Sequence, residues 1–171
     1  MLKKIGSMPQ KTAAILMSLM IAGGVIGGNR NALSEAREPV ASQVAMMCDR
    51  LSIMVSKANN YTVMANAQGA DISSVARAQT RAMEVISMRG VDNSSAQEVY
   101  TAANQLHQAV MDLNDRLESP DKGTVYDDWM LNRVNYKDAD SYNATLEGYN
   151  RVYRALPTRW LWGVAYRPIS Y

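Results

Sequence analysis

The chain has 171 residues, with 18 Lys and Arg against 16 Asp and Glu, which leaves room for one domain and a short appendage but for no second core. Its first 28 residues hold Lys3, Lys4 and Lys11 and no acid, so the remainder is slightly acidic and lacks the basic surface that nucleic-acid binding needs. One cysteine (Cys48) and one histidine (His107) exclude a disulfide framework, a structural zinc site and any catalytic set that combines a Cys with two His.

Ala13 to Gly28 reads AAILMSLMIAGGVIGG, an uncharged run behind a lysine-bearing segment, the pattern of a membrane anchor or a signal segment. As a helix it spans roughly 24 Å, short of a ~30 Å hydrocarbon core, so length leaves both readings open. Thr12 and Asn29 can lengthen the run and no A-x-A cleavage site follows it, which favours a retained anchor over a cleaved signal. Cys48 lies too far downstream for a lipoprotein. The lysines precede the run, whereas Arg30 and Arg37 after it are offset by Glu35 and Glu38. Positive-inside counting then gives a single-pass protein with its N-terminus in the cytoplasm and most of the chain outside.

From Leu33 a stripe of apolar or small residues follows steps of three and four through Ala36, Val40, Val44, Met47, Leu51, Met54, Ala58, Tyr61 and Ala65, and predicts a first long helix. Pro39 marks either its true start near Glu38 or a kink where membrane and body helices meet. After the connector Gln68 to Ala70, Asp71 can cap a second helix with the stripe Ile72, Val75, Ala82 and Ile86, which ends near Arg89 and Gly90. Ser95 and Glu98 have capping-box spacing. The third helix they open carries Val99, Ala102, Leu106, Val110, Leu113 and Leu117, and SPDKG (Ser119 to Gly123) closes it. A fourth helix carries Leu131, Val134, Ala139, Tyr142, Leu146, Tyr149, Tyr153 and Leu156 and stops at Pro157. Its five-residue step from Val134 to Ala139 predicts an inserted residue or a π-bulge. Short connections between amphipathic helices favour an antiparallel up-down bundle of about four helices. The fold class expected is therefore all-α, with an N-terminal membrane helix (1–28), a bundle (29–156) and a C-terminal tail (157–171).

Few residues in this layout suggest chemistry. A di-iron bundle needs Glu-x-x-His pairs, but Asn104 stands three before His107, and there is no second His; His107 reads as a surface or boundary residue. Asp112, Asp115, Glu118, Asp121, Asp127, Asp128, Asp138, Asp140 and Glu147 crowd one region, as a solvated acidic face or as a surface for a cation or a basic partner. Most of the twelve methionines read as core filling, with an adaptable groove as the alternative. Cys48 reads as a packed apolar residue. The tail interleaves Arg159 and Arg167 with Trp160, Trp162, Tyr166 and Tyr171, a composition suited to lipid headgroups or to an aromatic plug over the bundle end.

Tyr142, Asn143, Tyr149 and Asn150, followed by Leu156 and Pro157 (SYNATLEGYNRVYRALP), and the ending YRPISY at Tyr166 to Tyr171 stand out as a pattern. Asp49, Val55 and Tyr61 are spaced as in DLIPNLV continuing to GYA, Val75 to Arg77 match V-x-AR, and Pro120 and Asp121 fall where YPDLK would stand. With these pieces the chain from about Asn31 onward resembles the LemA family, bacterial proteins with an N-terminal membrane helix and a helical bundle. Ser52 and Ile53 replace that family's Pro and Asn. The resemblance implies membrane tethering and no enzymatic mechanism. Seven residues apart, the Tyr-Asn pairs share one helix face, where the tyrosines can pack inward and the asparagines can bond neighbouring groups.

The expectation is a non-catalytic scaffold or interaction protein of the bacterial cell envelope, without cofactor. Its partners would be membrane lipid and an unidentified protein, and self-association stays open. The alternative is a secreted or periplasmic binding protein with a cleaved leader and a Met-containing core that accepts an apolar ligand. A structural accessory component, of a phage for example, is a third reading.

Overall fold

The computed structural model describes residues 10–88, 95–118, 122–156, 161, 163 and 165–170, with side chains from Ile15 onward except at 95 and 122. Five helices are present among them: α1 (Gln10–Ala67), α2 (Ser73–Ser87), α3 (Ser95–Asn114), α4 (Lys122–Asn132) and α5 (Tyr136–Ala155). The fold is all-α.

The three-and-four stripe makes α1 the spine. Val40, Met47, Leu51, Met54, Ala58, Tyr61 and Ala65 are all completely buried, and α1 packs against each of the other helices. Pro39 does not divide it; α1 runs on through that position. The missing Pro39 N–H leaves the Glu35 carbonyl without its helical donor, but Pro39 lies on the exposed side, where water can replace it. At its other end α1 stops in a Schellman motif, with Ala70 N–H donating to Ala65 O (2.9 Å) and Gly69 N–H to Asn66 O (3.2 Å). That motif needs a left-handed residue, which Gly69 supplies at φ +66°.

Chain direction follows from the cross-links between helices. Gln79 of α2 donates to Val55 O (3.0 Å) and Asn59 Oδ1 (2.9 Å) of α1, so α2 runs back along α1. Gln68, just past α1, pairs with the main chain of Glu118, just past α3, so these two run parallel. Arg50 of α1 bonds Asp138 at the start of α5 (2.9 and 3.1 Å), while the Arg37 guanidinium lies 6.0 Å over the ring of Tyr166 beyond the end of α5. The arrangement is the expected up-down-up-down bundle.

Two expectations need correction. The fourth helix is two helices, separated by Arg133, Val134 and Asn135. Asn135 is in extended conformation and caps α5: its side chain accepts the Lys137 N–H, and Asp138 Oδ2 accepts the Asn135 N–H at 2.9 Å. The five-residue step in the stripe is this break, which restarts the helical register, so Leu131 is 82 % exposed and Trp129 takes the core position at 1 %. The second correction concerns the anchor. Among the described residues no helix is long and apolar enough to cross a membrane; the uncharged run between Lys11 and Arg30 covers roughly 27 Å at ~1.5 Å per residue, still less than a ~30 Å core.

Candidate functional site

Three places hold side chains with no purely structural explanation, and the first is the N-terminal part of α1. Ile15, Leu16, Met17, Leu19, Met20, Ile21, Val25 and Ile26 are 39–68 % exposed, on every face of the helix. A side chain added at Gly23, Gly24, Gly27 or Gly28 would meet nothing within 4 Å. Packing starts only at Leu33, which is 5 % exposed. A helix apolar on all sides is normally buried, in a large core or in a membrane, whereas these side chains are exposed.

The second place is the C-terminal segment. Of the residues expected at a lipid interface, Arg159, Trp160 and Trp162 lie outside the described residues, as does Pro157. Tyr166 turns its ring to Tyr149 of α5, edge to face at 5.1 Å, and Arg167 is exposed. Residues 165–170 double back over α5. Tyr142 Oη donates to Arg167 O (3.1 Å); the Asn143 amide donates to Ile169 O (3.0 Å) and accepts Ile169 N–H (2.8 Å). Gln97 of α3 does the same for Ser170, at 3.2 and 2.8 Å. The Ile169 side chain is 3 % exposed. Burial, with Tyr166 beside it, pushes the Tyr142 hydroxyl up to about 12. Beyond Ser170 a shallow groove of about 400 Å³ follows α3 past Thr101, Asn104 and Gln108, uncharged residues that can bind but offer no reactive group.

Other motif residues are dispersed. Asp49 and Arg77 are exposed on α1 and α2, with Arg77 Nε donating to Ser73 O (3.3 Å). Tyr61 and Tyr149 are buried, and Asn150 is half-buried. Asp71 accepts the Ser73 N–H at 2.9 Å, a bond that holds its carboxyl below the ordinary value. The acidic region is not uniformly solvated: Asp138 is 5 % exposed in its pair with Arg50, and Asp128 is paired with Lys57. Met47 and Met54 are core, whereas Met83 and Met88 are each 51 % exposed. Cys48 is buried.

The third place lies where α4 crosses α1 and α3. Buried Trp129 meets the Tyr61 ring edge-on at 5.9 Å, and its Nε1–H donates to His107 Nδ1 at 2.9 Å. On the other side of the imidazole, Nη1 of Arg133 stands 2.9 Å from Nε2. Burial first, then the Arg133 charge, holds the His107 pKa below its ordinary 6.5, so the ring is neutral near pH 7. Tyr61 Oη is buried with no hydrogen-bond partner among the described residues; burial, Tyr126 and Asp128 push it up to about 12. His107 is half-buried, at the boundary where its helical position puts it. Its partners could not be read from the sequence. A lone Trp in the polar stretch KGTVYDDWMLN was the available signal, because a buried indole N–H needs an acceptor.

No group of three or more His, Cys, Asp and Glu among the described residues could hold a metal ion. No family model matches the chain, and no curated protein or solved structure matches it.

Proposed function

We propose that the protein is a membrane-attached, non-catalytic helical module of the bacterial envelope, of the kind the LemA resemblance implies. Its bundle serves as a scaffold or docking body, and the N-terminal part of α1 provides the attachment. One observation carries this reading: eight large apolar side chains between Ile15 and Ile26 are 39–68 % exposed, on a stretch of helix whose residues from 15 to 28 are all exposed. Burying each in lipid gains about 1.5–3 kcal/mol. The run is shorter than the hydrocarbon thickness and no described helix is long and apolar enough to cross it, so the attachment we propose is insertion of these side chains into the lipid without a crossing.

Flotation with vesicles of phosphatidylethanolamine and phosphatidylglycerol tests the attachment. Full-length chain should float, and chain lacking residues 1–28 should stay at the bottom; equal behaviour of the two defeats the proposal. The intact mass of cellular protein after an alkaline wash tests retention. Membrane-held protein of 18.9 kDa agrees with a tether, whereas a released species about 3 kDa lighter, as signal cleavage would give, replaces it with the secreted-protein reading.

A further inference from the structure

The imidazole of His107 lies between two groups that can only donate hydrogen bonds. Trp129 is 1 % exposed, and its N–H reaches Nδ1 at 2.9 Å. The two ring planes are nearly parallel, 9° apart, with centroids 6.3 Å from one another. The bond from Trp129 fixes the neutral imidazole as the tautomer with its proton on Nε2. Arg133 Nη1, 2.9 Å from that nitrogen, is likewise a donor at every accessible pH. Two N–H groups therefore converge, with no acceptor from the described residues between them. Such a pair repels as it stands, and it is relieved by an oxygen to which both can donate.

We propose that His107 Nε2–H and the Arg133 guanidinium form a binding site for a carboxylate. Both residues are partly buried, with the remainder of each surface open to solvent. Arg133 sits in the three-residue linker between α4 and α5, and its side chain can swing far enough to admit an oxygen without moving a helix. The charge balance selects the ligand. Arg133 supplies one positive charge and His107 is neutral, which the single charge of a carboxylate balances. Phosphate, with nearly double charge, would leave an excess of negative charge on the site. The carboxylate can belong to a free organic acid or to an acidic side chain of a partner protein; the chemistry recognised is the same.

His107 is the only histidine in the chain, so its ring nitrogens can be followed by ¹⁵N NMR on full-length protein without ambiguity. At pH 7.5 the spectrum should show the Nε2–H tautomer. At constant ionic strength, acetate and the capped peptide acetyl-Ala-Glu-Ala-amide should each shift the Nε2 and Hε1 signals saturably, with phosphate weaker than acetate. Arg133→Gln should weaken acetate binding at least about tenfold with the helical spectrum unchanged. Binding of acetate without the peptide assigns the site to a free acid, and binding of both extends it to partner side chains. An Nδ1–H tautomer, no saturable shift with either carboxylate, tighter binding of phosphate, or equal affinity in Arg133→Gln would each overturn the proposal.

Discussion

Single atoms in the core decide how individual residues respond to substitution. Met and Leu are close in volume, and exchanging them in a core is usually mild. At Met54 the sulfur accepts the N–H of Val134 (3.3 Å), with both residues at most 1 % exposed. Met54→Leu would preserve the packing and strip that donor of its acceptor, so its unfolding free energy in urea should fall by about 1–2 kcal/mol. Met47→Leu, at an equally buried site, should lose less. Tyr61 has the opposite sign. Its hydroxyl is buried without a partner among the described residues, so Tyr61→Phe should leave stability unchanged or raise it by up to about 1 kcal/mol. His107 makes stability depend on pH. Its folded pKa lies below the ordinary 6.5, so as pH falls the unfolded chain takes up the proton first. Stability should be complete above about pH 6.5, decline below it and level off beneath the folded value. His107→Gln keeps an acceptor for Trp129 and cannot titrate; its denaturation midpoint should fall less than that of the parent chain between about pH 7.5 and 5.5.

Among the elements, side-chain amides do work that backbone pairing does in sheets. Gln68 with Glu118, Asn143 with Ile169 and Gln97 with Ser170 each satisfy both the N–H and the C=O of one non-helical residue. The last two hold the C-terminal segment across α5 and α3. Asn143→Ala should therefore speed amide hydrogen exchange at Ile169 and Ser170 while leaving amides in the middle of α3 unaffected, a contrast readable by NMR. The sequence made half of this visible. Seven-residue spacing put Tyr142, Asn143, Tyr149 and Asn150 on one helix face, because that depends only on helical periodicity. The backbone that Asn143 holds lies 26 residues away, beyond the reach of any periodicity. Leu131 was misplaced for a similar reason: a stripe read through Arg133 to Asn135 assumes one register, and the cap at Asn135 starts another.

For the whole molecule, α1 joins two environments in one helix, and this explains both what was legible and what was not. Its stripe from Leu33 to Ala65 forms the core because every other helix buries against it, and the same periodicity marks the core faces of α3 and α5; on α2 it finds Val75 and Ala82 but takes partly buried Ile86 in place of buried Val85. The His107 cluster stayed hidden since α4 is short and its orientation is set by what Trp129 meets. From Ile15 to Gly28 every residue of the helix is exposed, so packing against the described residues does not stabilise it there. In detergent-free buffer, amide exchange should grade along this single helix: fast between Ile15 and Gly28, where opening exposes no buried contact, and slowest between Met47 and Ala65, where opening requires the core to come apart. Adding vesicles should protect the first stretch selectively, because lipid removes the water that exchange requires, and should leave the second unchanged. Protection that appears uniformly along α1 would mean that the vesicles act on the bundle; a fast N-terminal stretch with and without lipid would mean that its apolar faces are covered by something other than a membrane.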